Sequence, residues 1–137
     1  MEPKITSITL SVNDLEKSVA FYKNGLGFPT EGIVATSDVP GDEGRIALFM
    51  LSGGLILSLY PKRDLAKDSK LSIASSSPFE FSLMHQVASK DEVDTIMTQA
   101  KKAGANITDS PHDRGGVYSG FFQDLDGHLW EIVSILG

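Results

Sequence analysis

Two stretches of this chain pass through the same succession of hydrophobic patterns. Ile5-Thr-Ser-Ile-Thr-Leu-Ser-Val12 interleaves β-branched and apolar residues with Thr6, Ser7, Thr9 and Ser11, which predicts a strand. Asn13 or Asp14 offers a helix cap, and Leu15, Ser18, Val19 and Tyr22 then recur at helical spacing until Gly25 and Gly27. The second copy starts at Phe79, where Phe81, Leu83, His85 and Val87 alternate with Ser82, Met84 and Gln86. Ser89-Lys-Asp-Glu92 has the form of a capping box. Val93, Ile96, Met97, Ala100 and Ala103 hold one helix face up to Gly104.

Shorter strands are expected after each helix. In the first half they cover Gly32–Ser37, Gly44–Leu51 and Leu55–Tyr60, the last two joined at Ser52-Gly-Gly54. In the second half they cover Ala105–Thr108, Val117–Gln123 and His128–Leu136, with Asp124-Leu-Asp-Gly127 as a turn. The order is βαβββ, twice. Residues from about 62 to 78, ending in Ser75-Ser-Ser-Pro78, read as a linker between repeats of about 4–61 and 79–136. Loops at Asp38–Gly44 and Ser110–Gly116 fall at equivalent places and suit the rim of a binding cleft.

Composition narrows the chemistry. The 137 residues fit one domain of two small halves. The absence of cysteine excludes thiol catalysis, cysteine-held zinc, iron–sulfur clusters and disulfides. A net charge of −6 argues against nucleic-acid and anionic-membrane partners, which select clustered Lys and Arg. The longest apolar run, Ile46–Leu51, is far shorter than the ~20 residues that span a bilayer. The N-terminal Met-Glu-Pro-Lys-Ile has no signal-peptide pattern, so a soluble cytoplasmic protein is expected. No glycine-rich phosphate loop, nucleophile elbow or His-Glu-x-x-His helix is present.

Aligning the halves on Val12 with Val87, and on Gly54 with Gly127, places Ser7 on Ser82 and Ser58 on Glu131. Equal parity would let these four converge on one face of a sheet with a pseudo-twofold axis. Val12-Asn-Asp-Leu-Glu-Lys-Ser-Val-Ala-Phe-Tyr22 with Gly25-Leu-Gly-Phe28 resembles the opening of the vicinal oxygen chelate superfamily, and Phe122-Gln-Asp-Leu-Asp-Gly-His-Leu-Trp-Glu-Ile132 resembles its closing motif. That superfamily includes glyoxalase I, extradiol dioxygenases, and fosfomycin- and bleomycin-resistance proteins. The resemblance covers nearly the whole chain. It implies an α+β fold in which two βαβββ repeats form a curved, partly open mixed sheet around a ligand cup, helices outside.

Metal-dependent members of that superfamily hold a divalent ion with His or Glu from the first and last strand of each repeat. The matching positions here are Ser7, Ser58, Ser82 and Glu131, and only Glu131 is a competent ligand. Catalytic metal sites need about three imidazole or carboxylate donors, so no metal or other cofactor is expected. If an ion were held, Glu131 and His85 would be its ligands. By parity, however, His85 runs with Phe81, Leu83 and Val87 toward the helices, unless a bulge reverses it. Glu131 is the candidate catalytic base or ligand acceptor. Ser7, Ser58, Ser82, Tyr60, Tyr118, Phe122 and Arg45 are candidate ligand contacts, as hydroxyls, aromatic walls and an anion anchor. Arg114 is a second candidate anchor. Phe121 and Phe122 are adjacent, so one faces the cup if the other faces the helices. His128 and the two aspartates of the Asp124–Gly127 turn read as structural.

Two functions follow from the resemblance. One is a bleomycin-resistance-like protein that binds a small molecule in a homodimer without metal. The other is a lyase or isomerase resembling lactoylglutathione lyase, with Glu131 as base and with or without a divalent ion.

Overall fold

The computed structural model describes residues 1, 3–36, 44–70 and 81–136. The chain divides into two compact units, Met1–Ser75 and Ser76–Gly137, each with its own four-stranded sheet.

The first unit runs β1 (Ser7–Val12), α1 (Leu15–Ala20), β2 (Thr30–Ala35), β3 (Arg45–Met50), β4 (Ile56–Pro61) and α2 (Lys62–Ser69). Its strands lie in the order β1-β4-β3-β2, with β1 and β4 parallel and the remaining pairs antiparallel. The Asp14 carboxylate caps α1 by accepting from the Lys17 amide at 3.0 Å. The helix then widens into one π-turn over Phe21–Gly25. Its extra residue brings the adjacent Phe21 and Tyr22 both into the core, their rings edge to face at 5.0 Å. Tyr22 reaches Phe49 of β3, and Leu10, Val12, Leu57 and Leu59 complete the buried face beneath α1.

The second unit repeats the plan. Its elements are β5 (Ser82–Gln86), α3 (Lys90–Ala103), β6 (Asn106–Asp113), β7 (Val117–Gln123) and β8 (Leu129–Ile135), in the order β5-β8-β7-β6. Again the first and last strands are parallel. The capping box forms: Ser89 Oγ accepts from the Glu92 amide at 3.2 Å, and Glu92 Oε2 accepts from the Ala88 amide at 2.8 Å. Gly104, at φ 109°, ends α3 in the left-handed conformation that favours glycine. Val93, Met97 and Ala100 of α3 are buried, as are Phe122, Trp130 and Ile132 of the sheet beneath it. The duplicated βαβββ order is therefore the observed architecture. Among the described residues no helix is long and apolar enough to cross a membrane.

Two expectations need correction. The linker begins with a helix, since α2 occupies Lys62–Ser69 directly after β4, tied back where Tyr60 donates to the Asp68 carboxylate at 2.6 Å. A single short helix rich in charge has no repeating apolar stripe to announce it. The loop expected at Ser110–Gly116 is mostly strand, because β6 continues to Asp113. Pro111 is accommodated because β6 is an edge strand whose register shifts around it. The other expected loop, Asp38–Gly44, lies outside the described residues except for Gly44, as does the linker segment 71–78.

Candidate functional site

Residues paired across a ladder share a face, so the registers place each candidate. In the first sheet Ser58 stands opposite Thr9, and Ser7 opposite Ile56, so both serines lie on the face away from α1. Ser58 is buried, and its hydroxyl bonds that of Thr9 at 2.6 Å. Thr9, which shares its parity with Ser7, is thus the polar neighbour of Ser58 on this face. Tyr60 shares the face, but its hydroxyl is engaged by α2. Arg45 is not there. It lies with Ala47 on the α1 face and forms an exposed ion pair with Glu16 at 2.7 Å, which holds the Glu16 carboxyl below the usual range. An anion anchor at Arg45 is thereby corrected to a surface pair.

In the second sheet Glu131 stands between Met84 of β5 and Phe121 of β7. Ser82, two residues before Met84, shares that face. Glu131 is half-buried, and no hydrogen bond or ion pair engages its carboxylate among the described residues. Two expected aromatic walls lie on the opposite face. Phe122 is stacked on Trp130 at 6.1 Å in the α3-covered core, and Tyr118 donates to the Asp94 carboxylate of α3 at 2.7 Å. That carboxylate raises the Tyr118 phenol above its usual range. The aromatic beside Glu131 is Phe121. Counting back from the Asp124–Gly127 turn pairs Gln123 with Leu129, and hence Phe121 with Glu131, so the signal was present in the sequence. His85 pairs with Ile132, which puts it across the sheet from Glu131, as its parity indicated.

A charged group flanks Phe121 on the Glu131 face. The Arg114 guanidinium lies 5.1 Å from the Phe121 ring centroid. Its Nε donates to Ser119 Oγ at 2.7 Å, and its Nη2 donates to Asp109 Oδ2 at 2.7 Å and to the Ser119 carbonyl at 3.3 Å. His112 Nε2 donates to the same Asp109 oxygen at 3.3 Å. The Arg114 and His112 hydrogen bonds hold the Asp109 carboxyl below the ordinary aspartate range. Because this pKa is depressed in the folded chain, the stabilisation is present above the unfolded pKa and is lost as pH falls through the folded one. A carboxyl-detected NMR titration should place the Asp109 midpoint below that of free aspartate. In Arg114→Gln the midpoint should return toward the free value; an unchanged midpoint would deny the pairing.

The other histidine near Glu131 in sequence is structural. His128 Nδ1 donates to Asp124 Oδ2 at 2.7 Å, while Asp124 Oδ1 accepts from the amides of Asp126 and His128, both at 2.9 Å. Asp124 is buried and organises its own turn.

The resemblance implies a divalent ion. Among the described residues no three His, Cys, Asp or Glu side chains come together as a metal site. At the four matching positions stand three serines and one carboxylate, and one of the serines is already bonded to Thr9. Neutral hydroxyls are weak partners for a transition metal, so these residues do not fit that group.

Comparison with known proteins agrees with the fold. Residues 4–132 match the family model described as Glyoxalase/Bleomycin resistance protein/Dioxygenase superfamily. The chain is 30% identical over 138 residues to the protein YraH of Bacillus subtilis (strain 168), covering 97% of this chain and 99% of that one. A hypothetical protein from S. aureus has a similar structure, with 28% identity and a TM-score of 0.78 over 98% of this chain and 95% of that one. A glyoxalase-related enzyme from Fulvimarina pelagi has 27% identity and a TM-score of 0.75 over 96% and 88%.

Proposed function

This chain belongs to the Glyoxalase/Bleomycin resistance protein/Dioxygenase superfamily, and we propose from that premise that it binds a small molecule against the Glu131 face of its second sheet without a catalytic metal. The observation that carries this reading is the half-buried Glu131 carboxylate, which has no partner among the described residues and stands beside Phe121 and Met84. A partly desolvated carboxylate of this kind favours a hydrogen-bond donor supplied from outside. Phe121 and the exposed Met84 offer the adaptable apolar surface on which an organic molecule rests.

A second reading is a lyase or isomerase in which Glu131 moves a proton. The similarity to a glyoxalase-related enzyme favours it, and so does a carboxylate that no cation pairs with among the described residues. In either case the protein acts as a cytoplasmic homodimer. The exposed apolar Met50 and Phe81 suit coverage by a second copy, and no disulfide ties the chain to an oxidising compartment.

A thermal-shift screen of small polar organic molecules on chelator-treated protein tests the binding reading. A hit at 100 times its dissociation constant stabilises the fold by about 2.7 kcal/mol. Glu131→Gln is expected to weaken that hit about tenfold or more, since a hydrogen bond to a charged group becomes a neutral one. Hits that bind Glu131→Gln as tightly as the original protein would contradict the site. Turnover of a hit, abolished by the same substitution, would decide for the enzyme.

A further inference from the structure

We infer that Arg114 forms an anion subsite beside Glu131, and that the ligand is a small organic monocarboxylate which also carries a hydrogen-bond donor. This rests on the ligand face proposed above and names the chemistry of its occupant.

The guanidinium is already ordered by the protein. Its Nε and Nη2 donate to Ser119, a fully buried residue, and to Asp109, while its central carbon lies over the Phe121 ring. Nη1 is left with its two N–H donors and no partner among the described residues, and the side chain remains one-quarter exposed. An arginine held in this way has lost most of its rotamer freedom before any ligand arrives, so binding an anion costs little further ordering.

Charge selects the class of anion. Asp109 offsets the Arg114 charge and Glu131 adds a second negative group nearby, so repulsion grows with each charge beyond the one that Nη1 receives, and a monoanion is favoured over a dianion. Glu131 can only accept a hydrogen bond when ionised, so the ligand presents a hydroxyl, amine or amide N–H toward it. Phe121 lies between the two charged groups, paired with Glu131 and covered by Arg114. A carboxylate at Arg114, a planar or apolar body along Phe121 and a donor at Glu131 would satisfy all three.

The test uses the isotope-labelled full chain and two probes, 3-hydroxybenzoate and its neutral analogue 3-hydroxybenzamide, followed by amide shifts at Ser119, Phe121 and Glu131. The carboxylate is expected to bind about tenfold or more tightly than the amide, the worth of one charge-assisted hydrogen bond, and Arg114→Gln is expected to erase that preference. Asp109→Asn, a change at a half-exposed residue that removes the competing anion, should instead raise carboxylate affinity severalfold. It keeps the question decidable should Arg114→Gln fail to fold. Equal binding of the two probes on this face, or carboxylate affinity unmoved by Asp109→Asn, overturns the subsite and leaves the ligand face standing. Shifts from neither probe on this face overturn both.

Discussion

Phe122→Ala should lower the stability of this protein by about 3–5 kcal/mol, while Phe121→Ala, one residue earlier, should cost about 1 kcal/mol or less. Phe122 is 1% exposed and stacks flat on Trp130, so truncation leaves a cavity in the core beneath α3. Phe121 is only half-buried, and its ring touches the Arg114 guanidinium on the opposite face. Urea unfolding separates the two at once, with an unchanged slope and a displaced midpoint for Phe122→Ala. Ligand binding should show the reverse order, because Phe121 and not Phe122 borders Glu131. Similar losses of stability from the two variants would mean that the β7 register is off by one residue.

Asp124→Ala is expected to have the second largest effect, a loss of about 3 kcal/mol. The carboxylate is buried and accepts from two amides and from the His128 ring. Its removal leaves those donors in a tight turn without their acceptor, and an unsatisfied buried donor costs more than a hydrogen bond contributes. Asp124→Asn keeps one carbonyl oxygen for the amides and should cost about half as much. The expected order of denaturation midpoints is original protein, then Asn, then Ala. If Ala proved as stable as Asn, the amide bonds would not be what organises this turn. The same turn sets the pairing of Gln123 with Leu129, and through it the position of Glu131 opposite Phe121, so a distorted turn should also weaken ligand binding.

Much of this architecture was legible in the chain because both repeats carry strong local signals. Asp14 and Ser89 are found capping helices, and Gly104 and Gly127 adopt the positive φ that their turns require. Strand parity correctly separated Glu131 from His85. What escaped had weaker or longer-range causes. The short helix α2 is polar and lacks a repeating apolar face, while β6 continues through Pro111 because an edge strand need not donate there. Arg45 and Arg114 look alike as cations beside glycine-rich stretches, and only the registers show that one meets Glu16 and the other Phe121. Phe121 rather than Phe122 borders Glu131 because the Asp124–Gly127 turn pairs Gln123 with Leu129. Thr9 stands opposite Ser58 because Ser7 and Ser58 share a face but are offset by two residues in register.

The chemistry is less legible than the fold because three of the four positions where the resemblance implies metal ligands hold serine here, which removes the clearest signature without supplying another. Arg114, Phe121 and Glu131 supply instead a cation, an aromatic ring and a carboxylate on one sheet face. Such a set can bind and orient a small molecule with no ion to polarise it.

The most direct measurement is an amide-shift map of the strongest screening hit on chelator-treated protein, repeated after addition of manganese, nickel, zinc or iron. Shifts centred on Ser82, Met84, Phe121 and Glu131, equal with and without metal, are the predicted result. Binding that begins only when metal is added, or shifts centred on Tyr118 and Phe122 beneath α3, would contradict it.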